Sequence, residues 1–210
     1  ESGIQVSVVE MADQVMTPVD YEIATVIHQH FKSKNVGLHL QEAVIAFRPA
    51  EDGIDVVLKS GLVLRVDIVL LSIGVRPDVK LAREAGLEIG ETGGIKVNEF
   101  LQTSHPDIYA VGDAIEFPNP LSGRPALAFL AGPANKQGRI CADNVVNGNH
   151  QKYKGSIGTA IAKVFDLTVG TTGLSAKMLD RLQMPYKEVI VHGTSHAGYY
   201  PGAVMMDIKI

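Results

Sequence analysis

The chain opens on alternation. Ile4, Val6 and Val8 stand between polar neighbours in IQVSVVE, the period of a strand that ends at Glu10. The period then lengthens. From Pro18 to Gly37, the residues Ile23, Val26, Ile27, His30 and Phe31 recur at helical spacing. Pro18 suits a first helical turn, Asp20 and Glu22 suit the positive end of the helix dipole, and Lys32 and Lys34 suit the last turn before a Gly37 C-cap. A short strand, VGLHL, follows. Strand, helix, strand is half of a parallel nucleotide-binding unit.

Three apolar runs come next: AVIAFRPA, IDVVLKS and LVLRVDIVLLSIG, separated by turns at Glu51-Asp52-Gly53 and Ser60-Gly61. Turns that tight predict antiparallel hairpins. The stretch from Val66 to Ile73 is so apolar that it predicts a central strand buried on both faces, ending at Gly74. A short helix is expected over Leu81–Leu87. GGIKVNEFLQTS, Gly93 to Ser104, then leads into TSHPDIYAVGDA, where Ile108–Val111 reads as a buried strand between turn signals. Gly112 lets the backbone approach a ligand, and Asp113 stands at the strand's C-terminal end, where open α/β sheets bind ligands. A carboxylate there accepts a strong bond from a ligand hydroxyl; taken alone, the pair fits an ordinary turn after a core strand better, since Gly-Asp turns are common.

Beyond the breaker-rich loop EFPNPLSGRP, a helix is predicted over Pro133–Val146, its free N–H groups directed at an anionic ligand group. From Gln151 the pattern becomes short β-branched runs, with one helix over Ser175–Leu182 and Ser175 as N-cap. KEVIVHGT and VMMDIKI then flank a loop rich in Gly, His and Tyr, an antiparallel α+β arrangement.

Composition narrows the function classes. The 210 residues are 46% hydrophobic and 20% charged, enough apolar material for a packed core. A net charge of −4 gives no electrostatic case for nucleic acid or an anionic membrane surface. No apolar run has the length of a membrane span, and no basic flank precedes an apolar leader. A single cysteine excludes an internal disulfide framework and fits a reducing, cytoplasmic setting. His28, His30 and His39 have no metal-site spacing, so no metal centre is expected. The opening on a strand and the end in mid-strand at Ile210 lead us to expect a piece of a longer protein.

Six segments, taken in order, carry a resemblance: VVEMADQVM, LLSIGVRPD, GGIKVNEFLQTSHPDIYAVGDA, LAGPANKQGR, YKGSIGTAIAKVFDLTVGTTGL and SHAGYYPGA. The chain resembles the pyridine nucleotide–disulfide oxidoreductases over nearly all its length. It is most similar to their single-cysteine branch of coenzyme A disulfide reductases, NADH oxidases and persulfide reductases. The resemblance implies an α/β, Rossmann-like fold that binds FAD and NAD(P), present in part, with the start of an α+β dimerisation domain. Residues 1–92 then correspond to an NAD(P)-binding domain lacking its first strand and Gly-rich turn, 93–150 to the C-terminal part of the FAD domain, and 151–210 to the beginning of the dimerisation domain. No Gly-x-Gly-x-x-Gly occurs in the chain. Cys141 lies outside the region matching the family's redox-cysteine motif and reads as a core thiol.

The resemblance also implies site residues. Gly112 and Asp113 match the pair that holds a ribitol hydroxyl of FAD. Leu130, Ala131 and Gly132 match residues along the flavin's pyrimidine edge. Gly74 matches a glycine that approaches the nicotinamide cofactor. Glu10 matches an acid that bonds the adenosine ribose and repels a 2′-phosphate, so NADH is favoured over NADPH. Tyr199 and Tyr200, beside His196, match a loop that reaches the partner subunit's active site; if the loop is extended, their rings point opposite ways. Implied too are a homodimer, a small disulfide or persulfide substrate with coenzyme A as substrate or bound ligand, and a redox cysteine outside this chain, leaving the 210 residues inactive by themselves. A water-forming NADH oxidase, a flavoprotein electron-transfer reductase without cysteine chemistry, and an inert structural fragment are the competing expectations.

Overall fold

In the computed structural model, which describes residues 3–210, the elements in chain order are β1 (Ser7–Val9), α1 (Tyr21–Ser33), β2 (Gly37–His39), β3 (Val44–Ala50), β4 (Gly53–Leu58), β5 (Val63–Val66), α2 (Lys80–Glu84), β6 (Ile95–Lys96), β7 (Ile115–Pro118), β8 (Pro125–Ala126), α3 (Ala131–Asn147), β9 (Ala160–Val164), β10 (Leu167–Thr171), α4 (Ala176–Leu182), β11 (Ile190–Thr194) and β12 (Met205–Lys209). They pack as two units. One holds the residues up to Leu71 together with 162–169 and 175–210; the other holds 72–161 and 170–174.

In the first unit β1 and β2 pair in parallel, Ser7 opposite Gly37 and Val9 opposite His39, with α1 as the crossover. This is the strand–helix–strand half-unit that the alternation and the helical period predict. Helix α1 buries Ala24 and Ile27 against Val15, Val19 and Val169. Its ends differ from expectation. Pro18 lies in the turn before the helix, and Asn35, at φ 58, takes the left-handed position expected of Gly37. Gly37 instead starts β2, where an added Cβ would stand 2.9 Å from the Ser7 hydroxyl oxygen. His28 is buried, and its Nε2 accepts the Val15 N–H at 3.3 Å. Burial pushes its pKa down, which keeps the ring neutral and able to accept.

The meander β3–β4–β5 is antiparallel, as the turn signals predict. The expected central strand is not formed. β5 stops at Val66, and Ile68, Leu70 and Ile73 are 81%, 89% and 88% exposed. Apolar content alone does not make a strand; a ladder partner must satisfy the backbone, and no described residue pairs with the run beyond Val66.

The α4 terminus shows a cap that local sequence hides. Ser175 occupies the N-cap position, yet its Oγ is buried and bonds nothing among the described residues. The cap is Asp20: its carboxylate accepts the Ala176 N–H at 2.9 Å and the Lys177 N–H at 3.2 Å. Lys209 Nζ lies 3.3 Å from the same carboxylate and 2.9 Å from Glu188. Burial pushes the Asp20 carboxyl up, but the two N–H bonds and the Lys209 ammonium outweigh it and hold the group below its ordinary value. A lowered folded-state pKa stabilises the fold above the ordinary aspartate value, and that contribution is lost as pH falls through the lowered one. Acid unfolding of the protein should therefore steepen below about pH 4. Asp20→Asn should flatten that limb while lowering stability at neutral pH, as followed by thermal melts across pH.

In the second unit β6 and β7 pair in parallel and β8 returns antiparallel to β7. The core here is Val97, Leu101, Ile115, Ile140 and Tyr153. Glu116, on β7, is 5% exposed, and its Oε2 accepts both the backbone N–H and the hydroxyl of Thr92 at 2.6 Å. The loop GETGG folds over this carboxylate: a Cβ at Gly90 would overlap it, and one at Gly94 would stand 2.7 Å from the Glu116 nitrogen. Cys141 is half-buried against this core, and burial pushes its thiol pKa up, so the thiolate is disfavoured. No helix among the described residues is long and apolar enough to cross a membrane.

Candidate functional site

The segment before Gly112 is extended but makes only an isolated bridge, Gln102 to Tyr109. The buried strand expected over Ile108–Val111 is therefore absent, and Ile108 to Ala110 are half-buried with Val111 exposed. Ladder pairing begins after the motif, at Ile115. Between the two, Gly112–Ala114 forms one 3-10 turn. Gly112 adopts φ 81, the left-handed region that glycine enters without steric cost. Crowding does not require the glycine, since a Cβ there would sit at an ordinary 3.8 Å from the Ala134 Cβ. Its conformation does. The turn leaves Asp113 exposed at the edge of the unit.

Helix α3 packs on this turn. The Gly112 N–H donates to Gln137 Oε1 at 2.6 Å. The helix begins at Ala131, two residues before the expected Pro133, with Leu130 as N-cap and no side-chain cap. Its first intrahelical bond runs from Ala134 N–H to the Leu130 carbonyl at 3.2 Å. The N–H groups of Ala131 and Gly132 precede that bond, both residues are exposed, and a Cβ at Gly132 would meet nothing within 4 Å. A cleft of about 330 Å³ opens beside this helix end, lined by Gly132, Pro133, Lys136, Tyr153 and Lys154 among others. Two ammonium groups add to the positive end of the helix dipole. A hydroxyl acceptor at Asp113 and an electropositive helix end are thus brought together in one unit. These features fit a large ligand with a polyol arm and an electron-rich edge, which is the chemistry of FAD.

The remaining expected residues lie elsewhere. Glu10 directly follows β1, half-buried, and its Oε1 accepts the Ala12 N–H at 2.8 Å. Its backbone N–H bonds the His39 carbonyl at 2.9 Å, which fixes the residue at the strand end. Gly74 is in an irregular segment at φ 89 with open space around its Cα, so a left-handed bend requires the glycine. Tyr199 and Tyr200 occupy the turn between β11 and β12, 83% and 60% exposed. Their rings do not point opposite ways. Their centroids are 4.8 Å apart at 37°, because the segment turns, with Tyr200 N–H bonded to the Ala197 carbonyl at 3.0 Å.

Sequence reasoning missed Gln137, Asn144 and Glu116, all buried polar residues bonded to backbone around the motif. One signal was available: Gln137 and Asn144 fall on the same helical face as Ile140, where an apolar stripe should run unbroken.

Known proteins share the sequence family and the fold of this chain. The family described as pyridine nucleotide-disulphide oxidoreductase matches residues 1–134. The chain is 31% identical over 208 residues to an NAD(P)H sulfur oxidoreductase (CoA-dependent) of Pyrococcus abyssi, covering 99% of this chain and 46% of that protein. It superposes on a reduced CoADR-RHD of Bacillus anthracis with TM-score 0.93 and 50% identity, covering 99% of this chain and 37% of that one. It also superposes on an NAD-dependent persulfide reductase from A. fulgidus with TM-score 0.94 and 35% identity, over 98% of this chain and 38% of that one. The chain thus spans less than half the length of these relatives. With the family matched over most of the chain and the same fold found in its relatives, the chain belongs to the pyridine nucleotide-disulphide oxidoreductases.

Proposed function

We propose that this chain is part of an FAD-dependent NAD(P)H:disulfide oxidoreductase acting on coenzyme A disulfide or a persulfide. The observation that carries the reading is the Gly112–Ala114 turn bonded to α3. It sets one carboxylate and one open helix N-terminus in a single unit. The relatives' names, CoA-dependent sulfur oxidoreductase and persulfide reductase, support the substrate class. The net reaction is NADH plus coenzyme A disulfide plus a proton, giving NAD⁺ and two coenzyme A thiols. FAD, when bound, supplies the two-electron step between nicotinamide and disulfide.

The chain's own residues supply placement and electrostatics. Asp113 accepts a ribitol hydroxyl. Ala131 and Gly132 offer N–H groups, and α3 its positive end, to the pyrimidine edge of the flavin, which favours negative charge there. Glu10 accepts a ribose hydroxyl of NADH through the carboxylate oxygen that does not bond Ala12, and repels a 2′-phosphate. Gly74 gives the backbone bend near the nicotinamide. Tyr199 or Tyr200 serves the partner's substrate in a homodimer, for which the exposed apolar residues of β11 and β12, Val191 and Met205 among them, provide a surface. In this reading residues 1–92, 93–150 and 151–210 belong to NAD-binding, FAD-binding and dimerisation domains, the redox cysteine lies outside the chain, and the enzyme works in the cytoplasm.

Assaying the flavoprotein that carries this chain with coenzyme A disulfide, a persulfide and dioxygen in parallel tests the reading. Fast thiol formation supports it, whereas turnover on dioxygen alone would assign a water-forming oxidase. In the same protein Glu10→Ala should narrow the preference for NADH over NADPH, measured as the ratio of kcat/KM values. A wild-type preference for NADPH would remove Glu10 from the cofactor site.

A further inference from the structure

Helix α3 turns three side chains fully inward, Gln137, Ile140 and Asn144. Two of the three are amides, and burying an amide is costly unless its atoms are bonded. Asn144 is satisfied on every side by backbone. Its Nδ2 donates to the carbonyls of Phe100 at 3.0 Å and Gln151 at 2.9 Å, and its Oδ1 accepts from His150 at 3.1 Å and Gln151 at 2.9 Å. That residue bolts the helix to the loops beneath it.

Gln137 does something different. It is 2% exposed, and its Oε1 takes the N–H of Gly112, the residue before Asp113. Gly112 is the point at which the turn is least constrained by sterics, because its φ of 81 lies where only glycine moves freely. We propose that Gln137 is a positioning residue: its amide clamps the Gly112 N–H to α3 and so sets where the Asp113 carboxylate stands relative to that helix's N-terminus. Gln137 lies about 7.5–9 Å along the axis from Ala131 and Gly132, on the same rigid element. A single side chain therefore ties together the two features that would grip opposite ends of the flavin's ring-and-ribitol portion. Without the clamp the carboxylate remains but samples more poses, and the cost of ordering it falls on binding.

This inference rests on the reading of Asp113 as a flavin ligand. The test is a double-mutant cycle on FAD dissociation from the flavoprotein that carries this chain, using Asp113→Ala, Gln137→Met and the pair. Gln137→Met should weaken FAD about tenfold. Gln137→Glu, which keeps an oxygen acceptor at the same reach, should recover most of the loss. The double variant should bind FAD within about twofold of Asp113→Ala alone, because Gln137 acts through that turn. Should the methionine variant not fold, Gln137→Asn, which draws the amide back by one methylene, takes its place in the cycle. Additive losses, or unchanged FAD affinity in the Gln137 variant, would overturn the clamp. Unchanged affinity in Asp113→Ala would instead overturn the flavin reading, and the clamp with it.

Discussion

Replacing Asp113 with alanine should weaken FAD retention by roughly one to two orders of magnitude. Removing one partner of a charge-assisted bond leaves the other unpaired, at a cost of about 1–3 kcal/mol. Asp113 is exposed, so it makes no contribution to the packed core that its loss would remove. The apoprotein should therefore melt at the wild-type temperature, and the defect should appear only as flavin lost on dilution or gel filtration. Asp113→Asn should fall between the two, since the amide oxygen still accepts but carries no charge. Flavin stoichiometry and affinity unchanged in the alanine variant would mean that the turn serves another purpose.

The second large effect is expected at the β11–β12 turn. The two tyrosine rings lie against each other and are both exposed, which leaves their hydroxyls free to reach a partner subunit. A phenol there would donate to the thiolate that departs as a disulfide opens, stabilising charge that develops in the transition state. Tyr→Phe at the residue that does this should cut turnover with coenzyme A disulfide at least about tenfold. Flavin reduction by NADH should be unaffected, because that half-reaction involves no thiolate. Each variant is to be measured in both half-reactions separately. Mixing the defective variant with a subunit lacking the redox cysteine should restore about one active site per heterodimer, as a two-fold shared site requires. Normal turnover in both phenylalanine variants, with no restoration on mixing, would leave these rings as interface packing.

Much of the fold is legible because its elements are built from local pattern. The period change between IQVSVVE and the α1 segment marks the βαβ half-unit, and the Glu51-Asp52-Gly53 and Ser60-Gly61 turns mark the meander. What local pattern misreads is anything decided by a distant partner. Val66 to Ile73 has the composition of a buried strand, yet beyond Val66, which pairs with Ile54, no described residue provides its ladder. Ser175 has the identity of an N-cap, yet the bonds come from Asp20, 156 residues earlier than Ala176. Ile108–Val111 has the run of a strand, yet it makes one isolated bridge and ladder pairing starts only after the motif, at Ile115. The same holds at the candidate site. Gly112 and Asp113 are visible as a Gly-Asp pair after an apolar run, whereas Gln137 is recognisable only once α3 is seen to pack on that turn. The tyrosine pair shows the converse error: neighbours in sequence diverge in an extended chain, but a turn brings their rings together.

The central claim is that this chain helps hold a flavin that passes electrons from NADH to a disulfide. Its most direct test is an anaerobic titration of the flavoprotein that carries the chain, followed by flavin absorbance. NADH should bleach the oxidised flavin band at stoichiometric addition, and coenzyme A disulfide added afterwards should restore it with release of two thiols per flavin reoxidised. A purified protein without flavin, or a reduced flavin that coenzyme A disulfide and persulfide both leave bleached, would contradict the account.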